Sequence, residues 1–326
     1  MSLQDIGFYT LSNERCQQVS GESPMVRGEI ILTGRCNFNC PYCRGLRKDC
    51  QEDMPLARAL QCLEYWCDQG LQNVRFSGGE PLVYRDLDFL VSYAKARGVQ
   101  RIAVSTNGSF PFSEYNRLIE LGVNDFSISL DACCSAVGDK MAGIAGKFEL
   151  VKSNIRKISK LIYVSVGIVV TRDNELQVKE TIQLASDLGV ADIRVIPAAQ
   201  VQSNMLGLDS LPDLLLKKHA ILKYRILNHA AGRQVRGIEL YDSHRCYLPL
   251  DDSVVCGKWH FPCVIYMREH GNPIGEIGPN MRKERVAWSE SHNSYSDPIC
   301  CKNCLDVCVD HNNCCRSFRE RNHEKW

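Results

Sequence analysis

Residues 29–43 read Glu29-Ile30-Ile31-Leu32-Thr33-Gly34-Arg35-Cys36-Asn37-Phe38-Asn39-Cys40-Pro41-Tyr42-Cys43. They begin as a short apolar strand, Glu29–Thr33, turn at Gly34, and then set three cysteines within eight residues. A strand that runs directly into a reactive loop opens a strand–helix unit, whose functional groups lie at the strand's C-terminal end. Outward from it, similar apolar runs recur at Asn73–Phe76, Arg101–Ser105, Asp125–Leu130, Ile162–Val170 and Asp192–Ile196. Amphipathic segments separate them at Pro55–Gln69, Leu87–Ala96, Ser113–Leu121, Phe148–Ser159 and Glu175–Leu188. In the first of these, Leu56, Leu60, Leu63 and Trp66 recur at helical spacing. Gly70, Gly98, Gly122 and Gly189 follow four of the helices as C-terminal caps.

Six such units predict a parallel sheet with outer helices, and are too few to close an eight-stranded barrel. The expected fold class is α/β: a partial (β/α)6 TIM-like barrel followed by a small Cys-rich C-terminal domain. The expected division is an N-terminal segment (1–26), the barrel (27–200), a helical bridge (201–240) and the Cys-rich domain (241–326). Leu208–Ala231 is expected to be helical, and Arg316–Trp326 to be a frayed helix or tail.

In 326 residues, 39 Lys+Arg nearly cancel 38 Asp+Glu, leaving a formal charge of +1. That balance does not support binding to nucleic acid or to a membrane surface, which needs a basic excess. No apolar run approaches the roughly 18–20 residues of a membrane span. Met1–Ser20 is polar and mixed in charge, unlike a secretory signal. The expected compartment is therefore the reducing cytoplasm. There, 18 cysteines point to metal binding or chemistry and not to a disulfide framework.

Cys36, Cys40 and Cys43 can converge on one metal centre. A zinc site would need a fourth ligand, for which Cys50 is nearest. An iron–sulfur cluster held by three cysteines leaves one iron open to a ligand. This CxxxCxxC, with Tyr42 before its last cysteine, resembles the radical SAM family. Companion features follow in the family's order: Ser77-Gly78-Gly79-Glu80-Pro81 after the second strand, Ser105-Thr106-Asn107-Gly108 after the third, and Ser129-Leu130-Asp131 after the fourth.

The resemblance implies a 4Fe-4S cluster on Cys36, Cys40 and Cys43, with S-adenosyl-L-methionine (SAM) chelating the fourth iron through its amino and carboxylate groups. It implies that Gly78, Gly79 and Glu80 meet the SAM amino group. Thr106, Asn107, Ser129 and Asp131 would line the cofactor, with the Tyr42 main chain and Ile196 near the adenine. One electron, from a donor such as flavodoxin or ferredoxin, would cleave SAM to methionine and a 5′-deoxyadenosyl radical. That radical would remove hydrogen from a substrate C–H bond, while the protein holds the target and excludes competing donors.

Nine cysteines lie between Cys246 and Cys315. The region resembles the SPASM and shorter twitch extensions of radical SAM enzymes, which implies one or two auxiliary 4Fe-4S clusters. Cys246, Gly257 and Cys263 fit the first half of that pattern, with Cys256 beside them. Cys301, Cys304, Cys308 and Cys314 fill the second half with gaps of two, three and five residues, where the usual order is two, five, three. A pair of zinc sites is the alternative. Cys133 and Cys134, close after Asp131, are candidate hydrogen donors of the kind that radical epimerases use; packing as small apolar groups is the alternative.

The functional expectation is a radical SAM enzyme modifying a ribosomally made peptide or protein, by epimerisation, a thioether or a carbon–carbon crosslink. The alternative is dehydrogenation, epimerisation or dehydration of a sugar, aminocyclitol or nucleoside. A cysteine-rich electron-transfer protein is a third class, against which the Gly-Gly-Glu turn and Ser129 argue.

Overall fold

The computed structural model describes residues 13–199 and 208–321. A short helix α1 (Asn13–Gln18) precedes strand β1 (Arg27–Ile31). Then come α2 (Leu56–Asp68), β2 (Asn73–Ser77), α3 (Leu87–Ala96), β3 (Arg101–Thr106), α4 (Phe112–Leu121) and β4 (Asp125–Ser129). Helices α5 (Ser135–Ala142) and α6 (Phe148–Ile158) lead to β5 (Tyr163–Val170), and α7 (Val178–Asp187) to β6 (Asp192–Pro197). Six parallel strands run in the order β6-β5-β4-β3-β2-β1. The sheet does not close, so the expected partial α/β barrel is present.

The strands are legible because each is a run of buried apolar residues. β3 and β4 bury Ile102, Val104, Phe126 and Ile128, and α2 lays Leu63 and Trp66 against the sheet. The Trp66 ring covers Gly28: a Cβ there would lie 2.4 Å from the ring. Only a residue without a side chain lets the helix approach β1 so closely.

Three differences from the sequence reading are informative. Leu208–Ala231 is not one helix. It breaks between α8 (Asp213–Lys218) and α9 (Ala220–Ala230), at His219, whose backbone is extended (φ −119°, ψ 100°). The buried His219 ring bonds to Ala191 O at 3.1 Å and Ser186 Oγ at 2.9 Å. The Asp192 carboxylate accepts from the first amides of α9, Ile221 N at 2.9 Å and Leu222 N at 3.3 Å. These tertiary bonds offset the loss of one helical turn.

Second, the Cys-rich segment joins the barrel sheet. β7 (Asp252–Cys256) pairs parallel to β1, Arg27 opposite Asp252, and β8 (Trp259–Phe261) and β9 (Gly275–Glu276) extend the sheet antiparallel. β7 is buried along its whole length, which explains how it can lie beside a central strand. Third, after α10 (Val264–Arg268), α11 (Met281–Ser291) and the short α12 (Cys300–Asn303), the described residues end in a 16-residue helix, α13 (Asp306–Arg321). The segment from Arg316, expected as a frayed helix or tail, is helix to Arg321, and 322–326 lie outside the described residues. Its Arg319 is buried, 4.5 Å above the Tyr247 ring, and donates to Cys315 O and Val19 O.

Candidate functional site

The loop after β1 carries Cys36, Cys40 and Cys43 over the C-terminal end of the sheet. Neighbouring elements fix it. Asn39 N donates to Ala142 O at the end of α5, and Gly143 follows in the left-handed conformation, where a Cβ would meet Asn39 O at 2.0 Å. Gly78 and Gly79 press on the loop's other side: a Cβ would lie 2.5 Å from Thr33 O and 2.3 Å from Arg35 O respectively. The Gly-Gly pair is therefore a packing requirement of the cysteine loop.

The three thiols line one open cavity of about 410 Å³. Tyr42, Gly78, Gly79, Thr106, Asn107, Ser129, Asp131 and Ile196 line it too. So the sequence-derived candidates converge from five strand ends. Asn107 Nδ2 donates to Asn37 Oδ1 at 2.7 Å and lies 3.9 Å from Cys36 Sγ. Asp131 accepts from Tyr42 OH and from Val169 N at 2.6 Å. Burial pushes its carboxyl up to about 6, and these two donors oppose the shift. Burial likewise pushes the Cys40 thiol up to about 12. As a thiolate it would need a cation or cluster to compensate.

Glu80 is placed differently from its expected contact with a ligand. It is fully buried and does not line the cavity. Its carboxylate accepts from Thr106 Oγ1 at 2.8 Å, Asn107 N at 2.7 Å and Leu82 N at 3.2 Å. It ties the ends of β2 and β3 together and holds Asn107 over the cavity. Cys133 and Cys134 lie 3.6 and 3.8 Å from Gln177 Oε1 and are absent from the cavity lining.

A second cluster of thiols sits under α11 and α12. Cys246, Cys263, Cys300, Cys304 and Cys308 line one small cavity of about 30 Å³. Burial pushes Cys263 up to about 12 and also raises Cys246 and Cys300, with the neighbouring thiols adding to each shift. Five soft donors outnumber the four that one iron–sulfur cluster uses. Cys300, and not Cys301, enters this group; Cys301 faces a separate cleft with Arg233 and Asp310. Cys256 lies beside Cys50, and Cys314 beside Cys16. His292, which no spacing rule singles out, stacks on Trp288 at 3.9 Å and places Nε2 3.7 Å from Cys300 Sγ.

Between the two thiol groups lies a cavity of about 270 Å³. Cys263 and Cys308 wall one side, and Glu29, Arg75, Arg194 and Ile196 are shared with the larger cavity. Six arginines line it, Arg27, Arg44, Arg75, Arg194, Arg225 and Arg236, against the carboxylates Glu29 and Asp252. The sequence does not bring these six together, because β1, β2 and β6 each contribute one arginine at a time.

Residues 30–185 match the family model of the Radical SAM superfamily. These residues form a domain of that superfamily. Its members hold a 4Fe-4S cluster and SAM. Here Cys36, Cys40 and Cys43, the glycine-walled turn and the cavity fit both groups, and the five thiols fit an auxiliary cluster.

Among curated proteins, the chain is 31% identical over 191 residues to molybdenum cofactor biosynthesis protein 1 of Dictyostelium discoideum, covering 54% of this chain and 29% of that one. It is 34% identical over 121 residues to a GTP 3′,8-cyclase of a Synechococcus species, covering 36% and 35%. The chain spans about two thirds or less of the curated relatives it matches. The fold is similar to that of Streptococcus suis SuiB bound to the precursor peptide SuiA, with a TM-score of 0.61 at 14% identity over 85% of this chain and 66% of that one. Among the described residues, no helix is long and apolar enough to cross a membrane.

Proposed function

We propose that this radical SAM chain abstracts hydrogen from a C–H bond of a compact anionic substrate held between its two thiol groups. The observation that carries this is the arginine-lined cavity adjoining the SAM-side cavity. When bound, the cluster and SAM supply the one-electron chemistry and the 5′-deoxyadenosyl radical. The protein's part is to hold and orient. Ser129, Asp131 and Ile196 fix one ligand at the strand ends, and the arginines fix the other.

Carboxylates already pair with Arg27 (Asp252), Arg44 (Glu269) and Arg225 (Asp306). Arg194 donates to Ser127, and Arg236 to the carbonyls of Pro197 and Asn303, which are neutral partners. Burial, with a neighbouring guanidinium adding to it, pulls Arg75 and Arg236 down to about 10. Cations crowded in this way bind a phosphate or carboxylate readily, because the anion relieves both costs.

A second reading, modification of a peptide that presents an acidic group, draws on the peptide-bound neighbour. Flavodoxin or ferredoxin would supply the electron in either case.

The test is 5′-deoxyadenosine formation by reconstituted, reduced protein offered phosphorylated or carboxylated small molecules, their neutral analogues, and acidic peptides. Stimulation by the anionic small molecules alone is the expected result. Arg236→Gln should raise KM for them by about tenfold or more while leaving substrate-free SAM cleavage unchanged. Stimulation only by neutral compounds would reject the reading.

A further inference from the structure

Outside both cavities, the first and last described helices meet. α1 packs along α13, and Cys16 from the first is buried against His311 and Cys315 from the second, all three at most 2% exposed. Cys16 Sγ lies 3.4 Å from His311 Nδ1, and Cys315 Sγ 3.7 Å from its Nε2. Counting one ring nitrogen, the three donor atoms lie within 4.8 Å of one another. Cys314 adds a further thiol beside Cys16, outside the 4.8 Å group of the other three. His311, Cys314 and Cys315 stand at i, i+3 and i+4 on α13, so one face presents all three. Val19, Tyr247 and Leu250 close the pocket with apolar surface. The cations beside it are engaged: Arg15 donates to Asp251 at 2.8 Å, and Arg319 to backbone carbonyls.

We infer that Cys16, His311, Cys314 and Cys315 bind one zinc ion that fastens α1 to α13. Three thiolates and an imidazole make a closed, soft, four-ligand set, the composition of structural zinc sites. Zn–S bonds of about 2.3 Å and Zn–N bonds of about 2.0 Å give tetrahedral edges of about 3.5–3.8 Å. The ion takes one ring nitrogen, so one of the two ring contacts, 3.4 or 3.7 Å, is such an edge, and each is of that size. An iron–sulfur cube is larger than one ion and holds its ligands farther apart than mutual contact. The thiol protons leave to solvent as the ion binds, so folding of the two chain ends and metal binding are linked. The site is separate from the proposed catalytic cavities, and its failure would leave that proposal standing.

Zinc and iron are counted per chain in protein purified anaerobically and reconstituted with iron and sulfide. The wild type should carry one zinc and about eight irons. Cys16→Ser and His311→Ala should each lose the zinc, keep the iron, and speed amide exchange in α1 and α13. X-ray absorption at the zinc edge of the wild type needs no variant. It should show three sulfurs at about 2.3 Å and one nitrogen at about 2.0 Å. Four outcomes would each overturn the inference: absence of zinc, a loss of about four irons in Cys16→Ser, zinc retained in both variants, or a disulfide from Cys16 to either α13 cysteine in the purified protein.

Discussion

Glu80 shows how a residue can matter at a site it does not line. Burial raises its carboxyl from the ordinary 4.5 to about 7, against three donors that favour the anion. The folded chain thus holds a proton there more tightly than the unfolded chain does. The resulting stability is full below about pH 4.5 and is lost as pH rises through about 7, a swing of about 3 kcal/mol. Glu80→Gln should remove that slope at a constant cost of about 1–3 kcal/mol, because its amide nitrogen faces a donor. Urea midpoints of the two proteins across this range check it, and parallel pH profiles would contradict it. Cys36, Cys40 and Cys43 were legible in the sequence because thiols at that spacing have few other uses. Glu80's inward turn was not, since a Gly-Gly-Glu turn offers its carboxylate equally to a ligand or to the next strand end. Nor was the exchange of Cys300 for Cys301, which a one-residue rotation of α12 decides.

At the scale of elements, close approach sets the constraints. Trp66 of α2 fills the space over Gly28 of β1. Gly28→Ala should therefore overpack the core and cost about 1–3 kcal/mol, lowering the urea midpoint with an unchanged slope. A changed slope would instead indicate an altered folded or unfolded ensemble. The six barrel strands lie within two residues of their sequence-derived limits, because buried apolar runs bounded by glycine have little freedom. α5 was missed because Gly138 interrupts its pattern, and the structure gives the reason: a Cβ there would lie 2.5 Å from the Phe148 ring. The break at His219 was hidden as well, since histidine reads as helix-compatible and its partners Ser186 and Ala191 lie far back in the chain.

Across the whole molecule, the continuous sheet is the organising feature. β7 lies beside β1, so the strand that launches the loop of Cys36, Cys40 and Cys43 also pairs with the Cys-rich segment. The two thiol groups are thereby set on either side of one arginine-lined cavity. The sequence could show that each cysteine group existed but not that they share a wall, because strand order is a tertiary property. Iron content should resolve the two: Cys43→Ala should lose about four of eight irons, and Cys308→Ala the other four. Loss of all eight in either variant would show that the groups are not independent.

The most direct measurement is 5′-deoxyadenosine released per chain by the reconstituted, reduced protein. It is compared with a variant changing Cys36, Cys40 and Cys43 to alanine, and with Cys308→Ala. The account predicts release by the wild type and by Cys308→Ala, and none by the triple variant. Release by the triple variant, or none from wild-type protein that carries its full iron, would contradict it.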